Sequence, residues 1–207
     1  GLVQRHLREW GIYRYCQPLW QLLDAHHPPS KRSALFLHTY AEKIMEMNAD
    51  KLIHAEFHCH TVYSLDSGNR IQPLLQRSAK MGIERLAITD HNTIRGALLA
   101  KELDPERVIV GEEILTSKGE LLAYYLYEEV PRGLSPMETI ARLKAQGAFI
   151  AVPHVFDRRR HGWHLNDLEE ILPHVDALEV FNARCLSARI NRLGCDFAEQ
   201  RGIPMMA

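Results

Sequence analysis

Leu52-Ile53-His54-Ala55-Glu56-Phe57-His58-Cys59-His60 is the stretch on which the reading of the chain turns. Ile53 to Phe57 reads as a short β-strand, and two histidines one residue apart close it. Side chains alternate in an extended strand, so positions i and i+2 share a face and two imidazoles can converge on one cation. A lone pair at this spacing arises often by chance, so its weight depends on the company it keeps along the rest of the chain.

Downstream, β-rich runs alternate with helical patterns. Strands are expected at 53–57, 85–89, 108–110, 121–126, 149–152 and 177–181, and helices at about 71–81, 93–103, 136–146, 166–172 and 187–200. Gly82 and Gly147 follow two of these helices as C-terminal caps should, and Gly202-Ile203-Pro204 ends the last. Repeated strand–helix units imply a mainly parallel sheet, either a barrel or an open doubly wound sheet. No phosphate-cradling glycine motif follows the first strand, which weighs against a nucleotide-binding version.

Residues 1–50 read differently. Trp10, Tyr13, Gln17 and Trp20 fall at helical spacing until His26-His27-Pro28-Pro29 stops the pattern, and a second helix is expected over 33–47. The expectation is a helical N-terminal extension that packs on a main domain spanning 51–207.

The 207 residues carry 25 Lys plus Arg against 26 Asp plus Glu, so no overall field draws the chain to nucleic acid or an anionic membrane. No run of 18 or more apolar residues could span a bilayer, and no signal-peptide pattern opens the sequence. Four cysteines without a CxxC pair suit free thiols in a reducing compartment, so a cytoplasmic protein is expected. Histidine is the compositional outlier, with 12 copies.

Set against the strands, the polar residues fall into a pattern. His58 and His60 close the first strand, Asp90-His91 the second, Glu112-Glu113 the third and His154 the fifth; Glu179 lies in the sixth and Asn182 just beyond. Active sites of α/β barrels assemble at that end of the strands. Imidazole and carboxylate without thiolate suit Mn, Zn or Fe better than Mg. A carboxylate among histidines can bridge two ions, and paired ions can polarise a phosphoryl oxygen and hold a hydroxide for in-line attack. Phosphoester hydrolysis is the expected chemistry.

His58-Cys59-His60, Ser64-Leu65-Asp66, Thr89-Asp90-His91, Gly111-Glu112-Glu113-Ile114, Val152-Pro153-His154 and Glu179-Val180-Phe181-Asn182 resemble, in order and spacing, the PHP (polymerase and histidinol phosphatase) family. The resemblance covers about 55–207 and implies a distorted (β/α)7 barrel holding two or three divalent ions. By position it implies that His58, His60 and Glu113 bind the first metal and that Glu113 bridges to a second, which His154 also binds. Asp66 and His91 would serve a third. Glu113 and Asp90 are the carboxylates expected to act in catalysis, Asp90 by orienting its neighbours.

Two departures stand out. Many members carry a histidine ligand where this chain reads Gly119-Glu120-Leu121, so Glu120 either replaces it as an oxygen ligand or faces solvent. Members also continue into a Gly-Ser-Asp-x-His segment that would begin where this sequence stops at Ala207, so a C-terminally incomplete barrel is expected.

Arg158 and Arg184, with Asn182, are the expected substrate contacts, because guanidinium forks suit phosphate oxygens. Arg159 and Arg160 are expected to be solvated. The expected partner is a small phosphorylated substrate or nucleotide, or the end of a short nucleic acid, and no membrane. Two alternatives are an amidohydrolase-type barrel, which also opens with His-x-His but places its remaining ligands on later strands, and an inactive metal-binding module acting through a partner.

Overall fold

The computed structural model describes residues 53–207; the helical extension expected over residues 1–50 lies outside the described residues. Seven strands run β1 Ala55–Cys59, β2 Arg85–Ile88, β3 Val108–Leu115, β4 Glu120–Tyr124, β5 Phe149–Val152, β6 Ala177–Glu179 and β7 Met205–Met206. Five α-helices intervene: α1 Ile71–Lys80, α2 Arg95–Leu103, α3 Pro136–Ala145, α4 Leu165–Ile171 and α5 Ala188–Arg201. The strands form one sheet in simple sequence order, β1 to β7. A doubly wound sheet would reverse direction at a switch point, and this one never does. It curls as an incomplete barrel of the distorted (β/α)7 type.

Four of the six strand pairings are parallel, and the two exceptions both involve β4. The sequence pattern predicts β3 only to Val110, but the strand runs on to Leu115 and meets β4 antiparallel through a tight Thr116–Gly119 connection. A linker this short cannot make a parallel crossover, so the chain must fold back as a hairpin. Thr116 fixes the turn: its Oγ1 donates to the Gly119 carbonyl at 2.6 Å and accepts from the amides of Lys118 and Gly119. The short β7 is absent from the expected strands, since Met205–Met206 is too brief to show periodicity.

Local chemistry sets the helix ends. α1 and α3 stop at Gly82 and Gly147, whose φ values of 75° and 70° suit a residue without Cβ. In each case the next residue's amide turns back to an earlier carbonyl, Ile83 to Ser78 and Ala148 to Leu143. Ser135, followed by Pro136, caps α3 by accepting from the Glu138 amide, and Ser187 caps α5.

Alternation in the strands divides the core. Leu86, Ile88, Val108, Val110, Leu121, Ile150, Val152 and Leu178 pack outward with Leu75, Ala97, Ile140, Leu143, Leu168 and Phe197 of the helices. The opposite parity, Ala87, Ile109, Leu122, Tyr124, Ala151 and Ala177, packs inside the curl with Phe57, Phe149 and Met206. Phe57 meets Tyr124 edge-on at 6.0 Å, and Tyr124 meets Phe149 at the same separation. This inner cluster is an apolar floor, and the polar residues lie one step further along the same strands.

β1 breaks strict alternation. Ala55 and Glu56 pair with Arg85 and Leu86, yet Cys59 pairs with Ile88, so Phe57 and His58 together oppose Ala87. The bulge lets two successive side chains face inward, Phe57 to the floor and His58 to the layer above it. Cys59 then packs outward with the helix-side core.

No helix among the described residues is long and apolar enough to cross a membrane. Leu122 is fully buried at the centre of the floor. Leu122→Ala is expected to lower the unfolding free energy by about 2–5 kcal/mol, seen as a lower urea midpoint at unchanged m-value.

Candidate metal centre

Glu113 stands on the inner face of β3, two residues beyond Gly111 and four beyond the floor residue Ile109. It is fully buried. Four imidazoles close around its carboxylate. Oε2 lies 3.1 Å from His58 Nε2, 2.9 Å from His60 Nε2 and 3.3 Å from His91 Nδ1. Oε1 lies 3.0 Å from His154 Nε2. Residues from β1, β3 and the ends of β2 and β5 therefore meet at one carboxylate, as their strand-end placement implies.

Glu120, the first residue of β4, also turns inward and is buried. Its oxygens stand 3.6 Å from His91 Nδ1 and from His154 Nε2. The structure does not turn this side chain to solvent, one of the two alternatives the sequence leaves for it. Trp163 holds its backbone: the buried indole Nε1 donates to the Glu120 carbonyl at 2.9 Å. Gly119 makes room for that ring, since a Cβ there would come within 2.5 Å of it. Asp66 completes the rim, with Oδ1 3.1 Å from His60 Nδ1 and Oδ2 3.7 Å from His91 Nε2.

The donors form three overlapping groups whose ligating atoms all lie within 4.8 Å: His58, His60 and Glu113; His60, Asp66 and His91; and His91, Glu113 and Glu120. His58 Nε2, His60 Nε2 and Glu113 Oε2 are buried and lack a hydrogen bond, as does His154 Nδ1. The first three sit close together but are not aligned for N–H···O bonding. Buried polar atoms without partners are costly, and these are N and O atoms of the types that bind transition metals. The residues fit a divalent cation.

Two further carboxylates orient the ligands. Glu179, on the inward parity of β6, accepts from His58 Nδ1 at 2.9 Å through Oε1. Its Oε2 accepts the His154 amide at 2.7 Å. That second bond steadies His154 in a left-handed conformation, φ 30°, which is rare for a residue with a side chain. Asp90 is fully buried and accepts from the Thr61 amide and hydroxyl, both at 2.6 Å, and from Ser64 Oγ at 2.8 Å. Ser64 Oγ in turn accepts the His91 amide. Asp90 therefore ties together the loop that carries His60 and Asp66 and the strand end that carries His91, and it does not reach the donor cluster itself.

Ionisation follows from this crowding. Burial works against charge on His58, but Glu113 and then Glu179 outweigh it and push its pKa up to about 10. Burial also opposes the Glu113 charge, yet His58, His154 and His60 hold it well below the usual carboxylate range. Glu120 goes the other way, raised to about 8 by burial and by the Glu113 charge. Burial lowers His91 and His154. Burial opposes charge on the more exposed Asp66 as well, but bonds from Arg184 and His60 exceed it and bring its pKa down to about 2. Cys59 is pushed up to about 12, mainly by burial, as befits a packing thiol.

A cavity of about 620 Å³ opens on the cluster, with Asp66, His91 and Glu120 in its wall. Arg132, Arg160 and Arg184 line it too. Arg184 contributes through an ion pair to Asp66 at 2.5 Å. Arg158 is exposed and lies against His164 Nε2, away from the lining, whereas its neighbour Arg160 faces the cavity. Asn182 is buried behind the wall, donating to Glu179. The strand-end pattern assigns Glu179 no role among the ligands, although Ala177 and Glu179 share the inward parity of β6, a signal present in the sequence. Nothing in Arg158-Arg159-Arg160 distinguishes one arginine from another before the turn is folded.

Known proteins agree with this architecture. The sequence pattern of the PHP domain family matches residues 56–133. The uncharacterized protein MJ1587 of Methanocaldococcus jannaschii is 38% identical over 154 residues, covering 67% of this chain and 87% of the relative. MJ0417 of the same organism is 37% identical over 154 residues, and the match spans 72% of this chain and 61% of that protein. A stretch of 67 residues is 36% identical to the error-prone DNA polymerase of Nocardia farcinica, covering 6% of the polymerase. In three dimensions the chain resembles a proposed metal-dependent phosphoesterase from Bifidobacterium adolescentis, with a TM-score of 0.59 at 16% identity over 75% of this chain and 86% of that one. With the ordered motifs, the curled sheet and the family pattern in agreement, the chain belongs to the PHP domain family.

Proposed function

We propose that this protein is a metal-dependent phosphoesterase whose reaction centre is the donor cluster around Glu113. The observation that carries the reading is the set of buried nitrogen and oxygen atoms of His58, His60 and Glu113 that make no hydrogen bond, beside a cavity whose wall includes Asp66, His91 and Glu120. His58, His60 and Glu113 would hold one ion, Glu113 and His154 a second and His60, Asp66 and His91 a third, with Glu120 an added oxygen ligand. Mn, Zn and Fe suit this mixture of imidazole and carboxylate. Such ions, when bound, would supply Lewis-acid chemistry: polarisation of a phosphoryl oxygen and a lowered pKa for water.

The chain's own residues supply the rest. Glu113 offers both oxygens, which suits a bridging carboxylate. Glu179 fixes the orientation of His58, and Asp90 fixes the loop bearing His60 and Asp66. The floor of Phe57, Leu122 and Tyr124 gives the donors a dry, rigid base. The name of the structural neighbour points the same way, as does a cavity large enough for a small phosphorylated molecule or one nucleotide.

Metal analysis together with turnover of p-nitrophenyl phosphate in added Mn tests the proposal. Wild type should bind metal and release phosphate, and Glu113→Gln should lose at least about a hundredfold in turnover together with bound metal. Full metal content in Glu113→Gln would sink the ligand assignment, and hydrolysis of cyclic amides in place of phosphoesters would favour the amidohydrolase chemistry.

Glu179→Gln should be milder. It keeps the shape but weakens the partner of His58, so metal affinity is expected to fall about 10- to 100-fold, measured by competition with a chelating dye. An unchanged affinity would mean that Glu179 does not orient the ligand.

A further inference from the structure

The Arg158-Arg159-Arg160 run is folded so that its three guanidinium groups have different fates. Asp157, itself buried, anchors the turn: its side chain accepts the Arg159 amide, and its carbonyl accepts the amides of Arg160 and Gly162. Gly162 lies so close that a Cβ would come within 2.7 Å of the Asp157 backbone. The result is a single 3-10 turn over Arg158–Arg160, closed by His161 at φ 54°. Arg158 turns to His164, and Arg160 alone of the three lines the cavity.

Arg160 is also held. Its Nη1 donates to Asn182 Oδ1 at 2.8 Å. Asn182 Nδ2 donates to both oxygens of Glu179 at 3.0 Å, and Glu179 bonds His58. The order of these groups fixes the Asn182 amide: its NH2 must face the carboxylate and its oxygen the guanidinium, and that oxygen also accepts the Arg184 amide at 3.0 Å. Neither a carboxylate nor an ammonium at position 182 could serve both sides. The chain His58–Glu179–Asn182–Arg160 thus joins a candidate metal ligand to a cationic fork on the cavity wall through one buried and two half-buried links. A single Nη1 contact leaves the other donors of Arg160 available.

We propose that Arg160 binds a non-bridging oxygen of the substrate phosphate, and that Asn182 is a positioning residue that holds Arg160 in register with the metal centre. This rests on the phosphoesterase reading. It moves the substrate contact from Arg158 to Arg160 and gives Asn182 a role without direct substrate contact. A guanidinium aimed by a neutral amide keeps its full charge for an incoming oxyanion, whereas one paired with a carboxylate, as Arg184 is with Asp66, is partly neutralised.

The test uses the whole chain loaded with Mn and two readouts: turnover of p-nitrophenyl phosphate and calorimetric binding of inorganic phosphate. Arg160→Met should raise KM and weaken phosphate binding roughly ten- to a hundredfold, as loss of a charge-assisted hydrogen bond does, at unchanged metal content and unfolding temperature. Arg160→Lys should recover part of the loss. Arg159→Met should stay within about twofold, as for a solvated charge. Asn182→Ala should shift phosphate affinity in the same direction, and combining it with Arg160→Met should add little further, because one interaction has been removed twice. Full additivity would overturn the positioning role. Turnover that ignores Arg160→Met would overturn the Arg160 assignment and leave the phosphoesterase reading standing. Arg160-dependent phosphate binding without any hydrolysis would do the reverse, and wild type that neither binds phosphate nor turns over ester would overturn both.

Discussion

One buried carboxylate organises the site. Glu113 is fully enclosed and within 3.3 Å of nitrogens from His58, His60, His91 and His154. A carboxylate moved out of water without compensation is costly, so the fold must bring positive charge or a cation to it. The surrounding ionisation reflects that demand: His58 takes on a basic character despite burial, and Glu120 gives up its charge more readily than a free carboxylate. Every strand end that contributes to the cluster is aimed at this group.

The curled sheet makes such an arrangement tolerable by dividing its interior into layers. Below lie Ala87, Ile109, Leu122, Tyr124 and Phe149, which exclude water and fix strand spacing. Above lie the histidines and carboxylates. Two local irregularities adapt a regular sheet to the task. The β1 bulge turns His58 and His60 inward immediately after Phe57, and the left-handed backbone of His154, steadied by Glu179, seats that imidazole at Glu113. Both lie beside the donor cluster, where irregular backbone is expected to concentrate.

Much of this was legible in the chain. The positions of β1, β2 and β5 and of the five α-helices among the described residues follow from apolar periodicity and glycine or proline punctuation, because those signals are local. The ligand candidates follow from residue type at strand ends. β3 and β4 were harder, since Gly111-Glu112-Glu113 looks polar and reads as the end of a strand, while in the fold Glu112 and Glu113 are buried on opposite faces and the strand continues. Burial of Glu112 is offset on the helix side by the Val130 amide, a contact 18 residues away that no local pattern announces.

By itself the sequence determined which residue types were available and in what order: His58-Cys59-His60, Asp90-His91, Glu113 and His154 at successive strand ends, and helices that start and stop where caps permit. Only the tertiary structure decided which of them meet. The direction in which Glu120 points, the alignment of Glu179 behind His58, the turning of Arg160 rather than Arg158 to the cavity and the bond from Arg184 to Asp66 all join residues between 6 and 121 positions apart or depend on one tight turn. Strand and helix periods are set by neighbours along the chain. The convergence of a site is set by how the sheet curls, and that depends on packing between elements that are distant in sequence.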